Sequence, residues 1–185
     1  MEAEEKPTTP ILKNKHTDDL IDHYWGSINY VAGLIKASEL KAGLILSFYG
    51  ILLNFIYQSI QMALIQTPSQ FIFFILLGLW FCCTVISIYF SIRCFIPRIE
   101  GTYEKNIFFF RDVITKFGGI KDFSKTFYDI SRDEDQVFDH LGQQVFIMSK
   151  IAAVKFKNVQ RSLKFLAFGL LVLLLMIGYF ALSTL

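Results

Sequence analysis

The sequence predicts an all-α membrane protein with three transmembrane helices, two of them continuous with cytosolic helical stalks, and a small cytosolic helical region. Three observations predict this fold class: long runs without a charge, basic residues confined to one side of those runs, and apolar residues at helical spacing outside them. Only 18% of the 185 residues are charged and 54% are hydrophobic, whereas a soluble domain has about 25% charged residues. This composition excludes a disordered chain and disfavours an ordinary soluble enzyme.

Two charge-free runs, residues 42–92 and 165–185, predict the spans. Because about 20 apolar residues cross the hydrocarbon core of a bilayer, the first run is long enough for two crossings and the second for one. A polar turn at residues 66–70 divides the first run, since its proline lacks a backbone donor and disfavours helix at the residue before it. The predicted spans are residues 42–65, 71–92 and 165–182.

The positions of Lys and Arg predict the orientation. All 18 of these residues either precede residue 42 or lie between residues 93 and 164, and none lies in the polar turn or in the C-terminal tail. Because basic residues are retained on the cytoplasmic side of a membrane, we expect the N-terminus inside and the C-terminus outside.

The residues on the expected cytosolic side are predicted to be mostly helical. Residues 1–16 are expected to form a flexible tail, and residues 17–41 a helix that continues into the first span. A second helical region covers residues 93–164. Within it, apolar spacing predicts an amphipathic helix over residues 99–117, a short segment around residues 122–130, and a last helix whose apolar residues repeat about every 11 positions. That last helix is predicted to continue into the third span.

The first predicted span carries small and amide side chains along one face. They recur at spacings of three and four residues and are called here the polar seam: Gly43, Ser47, Gly50, Asn54, Gln58 and Gln61. Because amides inside a bilayer need hydrogen-bond partners, the favoured interpretation is close packing against another helix. The alternative is a hydrated or oligomeric seam that opens as a pore. The same residues are able to serve both roles.

The sequence contains no motif for catalysis or for metal binding. The predicted spans lack Asp, Glu, Lys, Arg and His, which disfavours a proton relay or a coupled transporter. The three cysteines and three histidines form no metal-ligand spacing and no nucleophile–base pair. A net charge of +2 does not indicate a nucleic-acid partner. We therefore expect no enzymatic activity, no metal and no cofactor.

A cluster of basic residues precedes the third predicted span. It consists of Lys150, Lys155, Lys157, Arg161 and Lys164. The favoured interpretation is a collar attracted to anionic lipid. The alternative is that Lys150, Lys155, Lys157 and Arg161 bind a small anionic ligand, with a contribution from Arg111.

Three segments together resemble a known family. They are residues 38–43 (Ser-Glu-Leu-Lys-Ala-Gly) at the start of the first span, residues 106–112 (Asn-Ile-Phe-Phe-Phe-Arg-Asp), and residues 144–156, which run towards the last span. Their order and the three-span layout are similar to the transmembrane effectors of Pycsar, the pyrimidine-cyclase antiphage systems of bacteria. The resemblance covers about residues 20–182. Glu39 departs from the family signature, in which an aspartate is expected, but it keeps the charge.

The resemblance implies a function. A partner cyclase would make a cyclic pyrimidine nucleotide, cUMP or cCMP, during phage infection, and residues 93–164 would form the sensing region that binds it. The effector would then impair the bacterial inner membrane and cause abortive infection. The expected location is therefore the inner membrane, as a multi-pass protein in contact with lipid. Because three helices do not readily enclose a wide pore, a homo-oligomer is expected.

Glu39 and Lys41 lie where the first stalk is predicted to enter the membrane, and they have two interpretations. They either anchor the helix at the interface, with the Lys41 ammonium reaching towards water, or take part in an inter-helix ion pair that changes when the ligand binds. Two other functions need no nucleotide. One is a structural or assembly protein whose stalks bind a partner, and the other is a small oligomeric channel unrelated to defence.

Overall fold

The computed structural model describes residues 15–66, 70–96 and 104–183, and every regular element in them is an α-helix. In chain order these are α1 (Lys15–Gln66), α2 (Gln70–Phe95), α3 (Phe110–Thr115), α4 (Ile120–Ser131) and α5 (Glu134–Ser183). Three of them, α1, α2 and α5, are long and apolar enough to cross a membrane. The predicted all-α fold with three spans is confirmed, as is the continuity of two spans with polar helical segments, because α1 and α5 are each unbroken.

Two predicted features lie wholly or mostly outside the described residues. The flexible tail was predicted for residues 1–16, of which only the last two are described, and these already belong to α1. Pro68 and its two neighbours, which form the centre of the predicted turn, are outside the description as well.

The start of α5 illustrates how local chemistry sets a helix boundary. The Asp133 carboxylate accepts a hydrogen bond from the Gln136 backbone N–H, at 3.3 Å between Oδ1 and N. Glu134 and Asp135 follow in the first turn. A capping carboxylate satisfies a free N–H of the first turn, and acidic side chains there interact favourably with the helix dipole. The helix therefore begins directly after Asp133.

The chain forms two compact units, of which the small unit comprises Met1–Tyr30 and Lys105–Val145. Its core is the cluster of Ile107, Phe117 and Ile130. Three partly buried apolar residues pack against this cluster: Phe108, Phe123 and Val137. The described part of the small unit therefore buries apolar residues from the segments on either side of α3, from α4 and from the beginning of α5 against one another.

The membrane unit comprises Val31–Glu104 and Phe146–Leu185. Its three long helices meet at Ala42 of α1, Cys94 of α2 and Val159 of α5, which form one buried cluster. Small side chains at such a point allow helix backbones to approach closely in a membrane, where packing rather than water exclusion holds helices together.

The helix predicted over residues 99–117 is confirmed only over α3 and is wrong over residues 104–109. Residues 104–109 are not helical, and the helix is reduced to α3, while residues 99–103 lie outside the description. Asn106 provides the physical reason. Its side-chain oxygen accepts the Phe108 N–H at 2.8 Å, and its own backbone N–H donates to the Asp112 carboxylate at 3.2 Å. Such local side-chain bonds compete with the helical hydrogen bonds of the backbone.

A glycine pair connects α3 to α4, and only its first member requires glycine. Gly118 has a φ of 71°, whereas Gly119 has a φ of −88° and precedes α4 as its N-cap. A left-handed conformation costs an L-residue about 1–2 kcal/mol, while serine is a favoured N-cap. We expect Gly118→Ser to lower the free energy of unfolding by about that amount and Gly119→Ser to leave it unchanged or raised. Thermal unfolding of both variants in detergent measures the difference, and equal effects would contradict this account.

Candidate functional site

A cluster of buried serines joins two of the membrane-spanning helices. Ser87 and Ser91 lie one turn apart on α2, and both hydroxyls meet the Ser162 hydroxyl of α5, at 3.0 and 2.7 Å. The Ser87 hydroxyl also lies 2.9 Å from the Ser162 carbonyl oxygen, and the Ser162 hydroxyl lies 2.9 Å from the Ser87 carbonyl oxygen. All three side chains are fully buried. Interhelical hydrogen bonds of this kind fix the register of α2 against α5.

A partly buried ion pair extends this connection to α1. The Lys155 ammonium of α5 lies 2.7 Å from the Glu39 carboxylate of α1 and donates to the Cys94 carbonyl oxygen of α2, also at 2.7 Å. The Lys155 side chain is 7% exposed and that of Glu39 is 39% exposed. Charge-assisted hydrogen bonds are the stronger kind, and removal of one partner of a buried pair is costly. One ammonium group therefore connects all three membrane-spanning helices.

This pair combines two residues that the sequence assigned to different roles. For Glu39, with Lys41, the sequence leaves open an interfacial anchor or an inter-helix ion pair, and for Lys155 it leaves open a lipid-attracting collar or a ligand site. Lys41 is exposed, and its ammonium lies 5.9 Å from the centre of the Phe156 ring on α5. Both stalk residues thus contact α5, through an ion pair in one case and an aromatic ring in the other.

Beside this pair, α2 and α5 form a basic cleft with a volume of about 400 Å³. It is lined by Tyr89, Arg93, Ile96, Val154, Lys157, Asn158 and Arg161. The guanidinium groups of Arg93 and Arg161 each lie against an aromatic ring. Arg93 donates to the Tyr89 hydroxyl at 3.2 Å and lies over that ring, and Arg161 lies over the Phe90 ring at 5.4 Å. None of the seven described residues that line the cleft is acidic, so the arrangement favours an anion.

The cleft includes only two of the five residues predicted to bind a ligand, Lys157 and Arg161. Lys155 is held in the ion pair, and Lys150 is exposed with its ammonium 5.6 Å from the centre of the Phe146 ring. Arg111 belongs to the small unit, where it is exposed on α3. Sequence reasoning missed Arg93, although it is the first charged residue after the 42–92 run, a position that could have indicated it.

The polar seam is mostly uncovered in the described chain. Ser47, Gly50, Asn54 and Gln58 are exposed, and the Gln58 amide donates to the Asn54 side-chain oxygen at 3.3 Å. Gly43 differs, because a Cβ there would lie 3.8 Å from the Phe95 ring. The side chain of Gln61 lies outside the described residues. The amides therefore partly satisfy each other within α1, on a face that the described part of the chain does not cover.

In the small unit, a fully buried asparagine organises the polar interior. The Asn106 amide donates to the His140 carbonyl oxygen at 2.7 Å and lies 3.5 Å from the Gln143 side-chain oxygen. Nearby on α5, His140 Nδ1 and Gln144 Oε1 are buried and have no hydrogen-bond partner among the described residues. Buried polar atoms are nearly always hydrogen-bonded. A bound molecule with a matching donor or acceptor would therefore be stabilised by contact with these two atoms.

The described residues offer no obvious metal centre. Within 15–66, 70–96 and 104–183, no group of three or more His, Cys, Asp or Glu side chains is placed to hold an ion. All three cysteines lie in this part of the chain and are unpaired; Cys83 and Cys94 are buried, and Cys82 is exposed.

The chain matches the model of a known protein family. The family model described as the Pycsar effector protein domain matches residues 23–182 of the chain. No curated protein and no solved structure matches it. The matched region contains nearly all of α1, the whole of α2, α3 and α4, and all but the last residue of α5.

Proposed function

Since the chain belongs to the Pycsar effector family, we propose that it is activated by a cyclic pyrimidine nucleotide and then impairs the membrane that it spans. Family membership carries this proposal, and three apolar helices support a membrane location. The proposed signal is cUMP or cCMP made by a partner cyclase, and the proposed outcome is abortive infection. The effector needs no catalytic step of its own for this role.

The two long helices support a mechanical link between sensing and the membrane. Both α1 and α5 continue without interruption from residues of the small unit into a membrane-spanning segment. A nucleotide activates such a protein only if it binds the active arrangement more tightly than the resting one. We take the small unit as the sensor and the Glu39–Lys155 pair as the coupling element, because the pair joins α1 to α5 where both pass beside α2.

Two features of the small unit support a nucleotide site there. His140 Nδ1 and Gln144 Oε1 are buried without a partner among the described residues. Imidazole and amide groups offer hydrogen-bond donors and acceptors, which suit the polar edge of a pyrimidine. Arg111 is an exposed guanidinium of the same unit, suited to a cyclic phosphate. Lys157 and Arg161 lie in the basic cleft of the membrane unit.

Removal of the proposed phosphate contact is expected to weaken binding. Because a hydrogen bond to a charged group contributes about 1.5–3 kcal/mol, Arg111→Gln should raise the Kd for cUMP or cCMP roughly 10- to 100-fold. Arg132→Gln, which removes an exposed arginine of the same unit, is the matched control. Calorimetry on the detergent-purified full chain, with cAMP as the unrelated nucleotide, measures the affinities. An absence of binding by cUMP and by cCMP would exclude the sensing role.

We further propose that the polar seam forms contacts between copies of the chain in a homo-oligomer. Amide groups exposed on a membrane-spanning helix are more stable when they hydrogen-bond to another protein surface than when they face lipid. The seam supports this role because the described chain leaves Asn54 and Gln58 exposed.

Replacing both amides is expected to separate sensing from membrane damage. The Asn54→Leu/Gln58→Leu double variant removes the polar groups, so nucleotide-induced release of dye from liposomes should fall at least about tenfold, since each lost interhelical bond contributes about 0.6–1.7 kcal/mol. Nucleotide affinity should not change. The exposed apolar pair Leu53 and Tyr57, replaced by Ala, is the control. Unchanged release in the amide variant would refute a role of the seam.

A further inference from the structure

We propose that the basic cleft lined by Tyr89, Arg93, Lys157 and Arg161 binds the headgroup of an anionic phospholipid. This site is additional to the nucleotide site proposed above and does not depend on it. A phospholipid headgroup and a cyclic nucleotide share a phosphodiester, so the position of the cleft and the character of its walls must decide between them.

The position of the cleft along the chain matches the headgroup layer of a bilayer. Tyr89 and Arg93 lie in the last two turns of the 25-residue apolar segment Phe71–Phe95. Such a segment measures about 37 Å as a helix, whereas the hydrocarbon core measures about 30 Å. On the other wall, Arg161 lies four residues before the charge-free run that begins at Phe165. Both walls therefore carry their cations where a membrane-spanning segment leaves the hydrocarbon.

The chemistry of the walls suits a lipid better than a soluble nucleotide. Three cations surround the cleft, while Ile96 and Val154 add an apolar surface beside them. Ile96 is 54% exposed and provides a contact for the glycerol and the first methylenes of an acyl chain. Basic pockets between transmembrane helices bind anionic headgroups in this way, and tyrosine is common at the level of the interface.

The cations are also pre-organised. The Tyr89 hydroxyl holds one N–H of Arg93, and the Arg161 guanidinium lies over Phe90, which is itself stacked on Phe165 with ring centres 6.2 Å apart. A guanidinium has five N–H donors, so Arg93 retains donors for a phosphate after the bond to Tyr89. Side chains ordered before binding lose less conformational entropy when a ligand arrives.

Native mass spectrometry of the detergent-purified full chain tests the site, with dioleoylphosphatidylglycerol as the probe and dioleoylphosphatidylcholine as the neutral lipid. We expect wild-type protein to retain phosphatidylglycerol in preference to phosphatidylcholine. The triple cleft variant, Arg93→Gln/Lys157→Gln/Arg161→Gln, should bind phosphatidylglycerol at least tenfold more weakly than the wild type. Each cation near the membrane surface contributes about fivefold to the affinity. The control variant, Lys105→Gln/Lys121→Gln/Lys125→Gln, makes the same change of charge on exposed residues of the small unit. It should retain phosphatidylglycerol as the wild type does. If the triple cleft variant does not fold, Arg161→Gln alone should lose about fivefold.

Three results would overturn the proposal. The first is unchanged phosphatidylglycerol retention in the cleft variants. The second is an equal loss in the control variant, which would indicate diffuse attraction instead of a site. The third is displacement of the bound lipid by cUMP or cCMP, which would assign the cleft to the nucleotide. Because the Arg111→Gln experiment reports on nucleotide binding separately, failure of the lipid site and failure of the nucleotide proposal are distinguishable.

Discussion

Replacing Glu39 with glutamine is expected to lower the free energy of unfolding by about 1–3 kcal/mol, because it leaves the Lys155 ammonium buried without its counter-charge. We expect a value towards the lower end of this range, since Glu39 is 39% exposed and Lys155 keeps its bond to the Cys94 carbonyl oxygen. Chemical denaturation of the detergent-purified protein measures the change. Glu104→Gln, which neutralises an exposed acid of the same unit, is the matched control and should have no effect.

The double variant Glu39→Gln/Lys155→Met distinguishes stability from coupling. Removing both charges and replacing the ammonium by an apolar side chain of similar length is expected to restore most of the lost stability. If the pair couples sensing to the membrane, this variant should still bind nucleotide with an altered response in dye release. A double variant less stable than Glu39→Gln alone would contradict this account of the ion pair.

Truncating Phe117 to alanine is expected to lower the free energy of unfolding by about 3–5 kcal/mol, the usual range for removing a buried aromatic ring. Phe117 is 8% exposed, belongs to the cluster with Ile107 and Ile130, and contacts the Phe123 ring edge-on at 5.6 Å. Because the cluster lies in the small unit, nucleotide binding should be lost while membrane insertion is retained. Thermal unfolding and calorimetry measure the two effects.

Phe110→Ala provides the control for this experiment. Phe110 is 80% exposed, so its ring contributes little to the folded state and its removal should change stability by less than about 0.5 kcal/mol. If Phe117→Ala unfolds no earlier than Phe110→Ala, the cluster is not the core of the small unit.

The membrane-spanning architecture could be predicted from the sequence because lipid leaves few choices. Absence of charge over residues 42–92 and 165–185 identifies the spans, and helical apolar spacing outside them identifies the continuation of α1 and α5. The same spacing failed before α3, where it predicted a helix as far back as residue 99. There the Asn106 side-chain oxygen accepts the Phe108 backbone N–H, and the Asp112 carboxylate accepts the Asn106 backbone N–H. Apolar periodicity does not register this competition for backbone hydrogen bonds.

The candidate sites could be predicted only in part, because they depend on which helices pack together. Charge and position alone placed Glu39 and Lys155 in separate roles, although 116 residues apart they form one ion pair. The basic cleft needs α2 beside α5, and the two serines of α2 that contact Ser162 of α5 are ordinary residues of an apolar run. Ser87 and Ser91, one turn apart on α2, were the available signal for that contact.

Release of a self-quenching dye from liposomes that contain the purified full chain tests the central claim most directly. If the protein is a nucleotide-gated membrane effector, cUMP or cCMP should release the dye in a dose-dependent manner, while cAMP and protein-free liposomes give only the background rate. Release that is the same with and without cUMP and cCMP, from protein shown to be inserted, would contradict the claim.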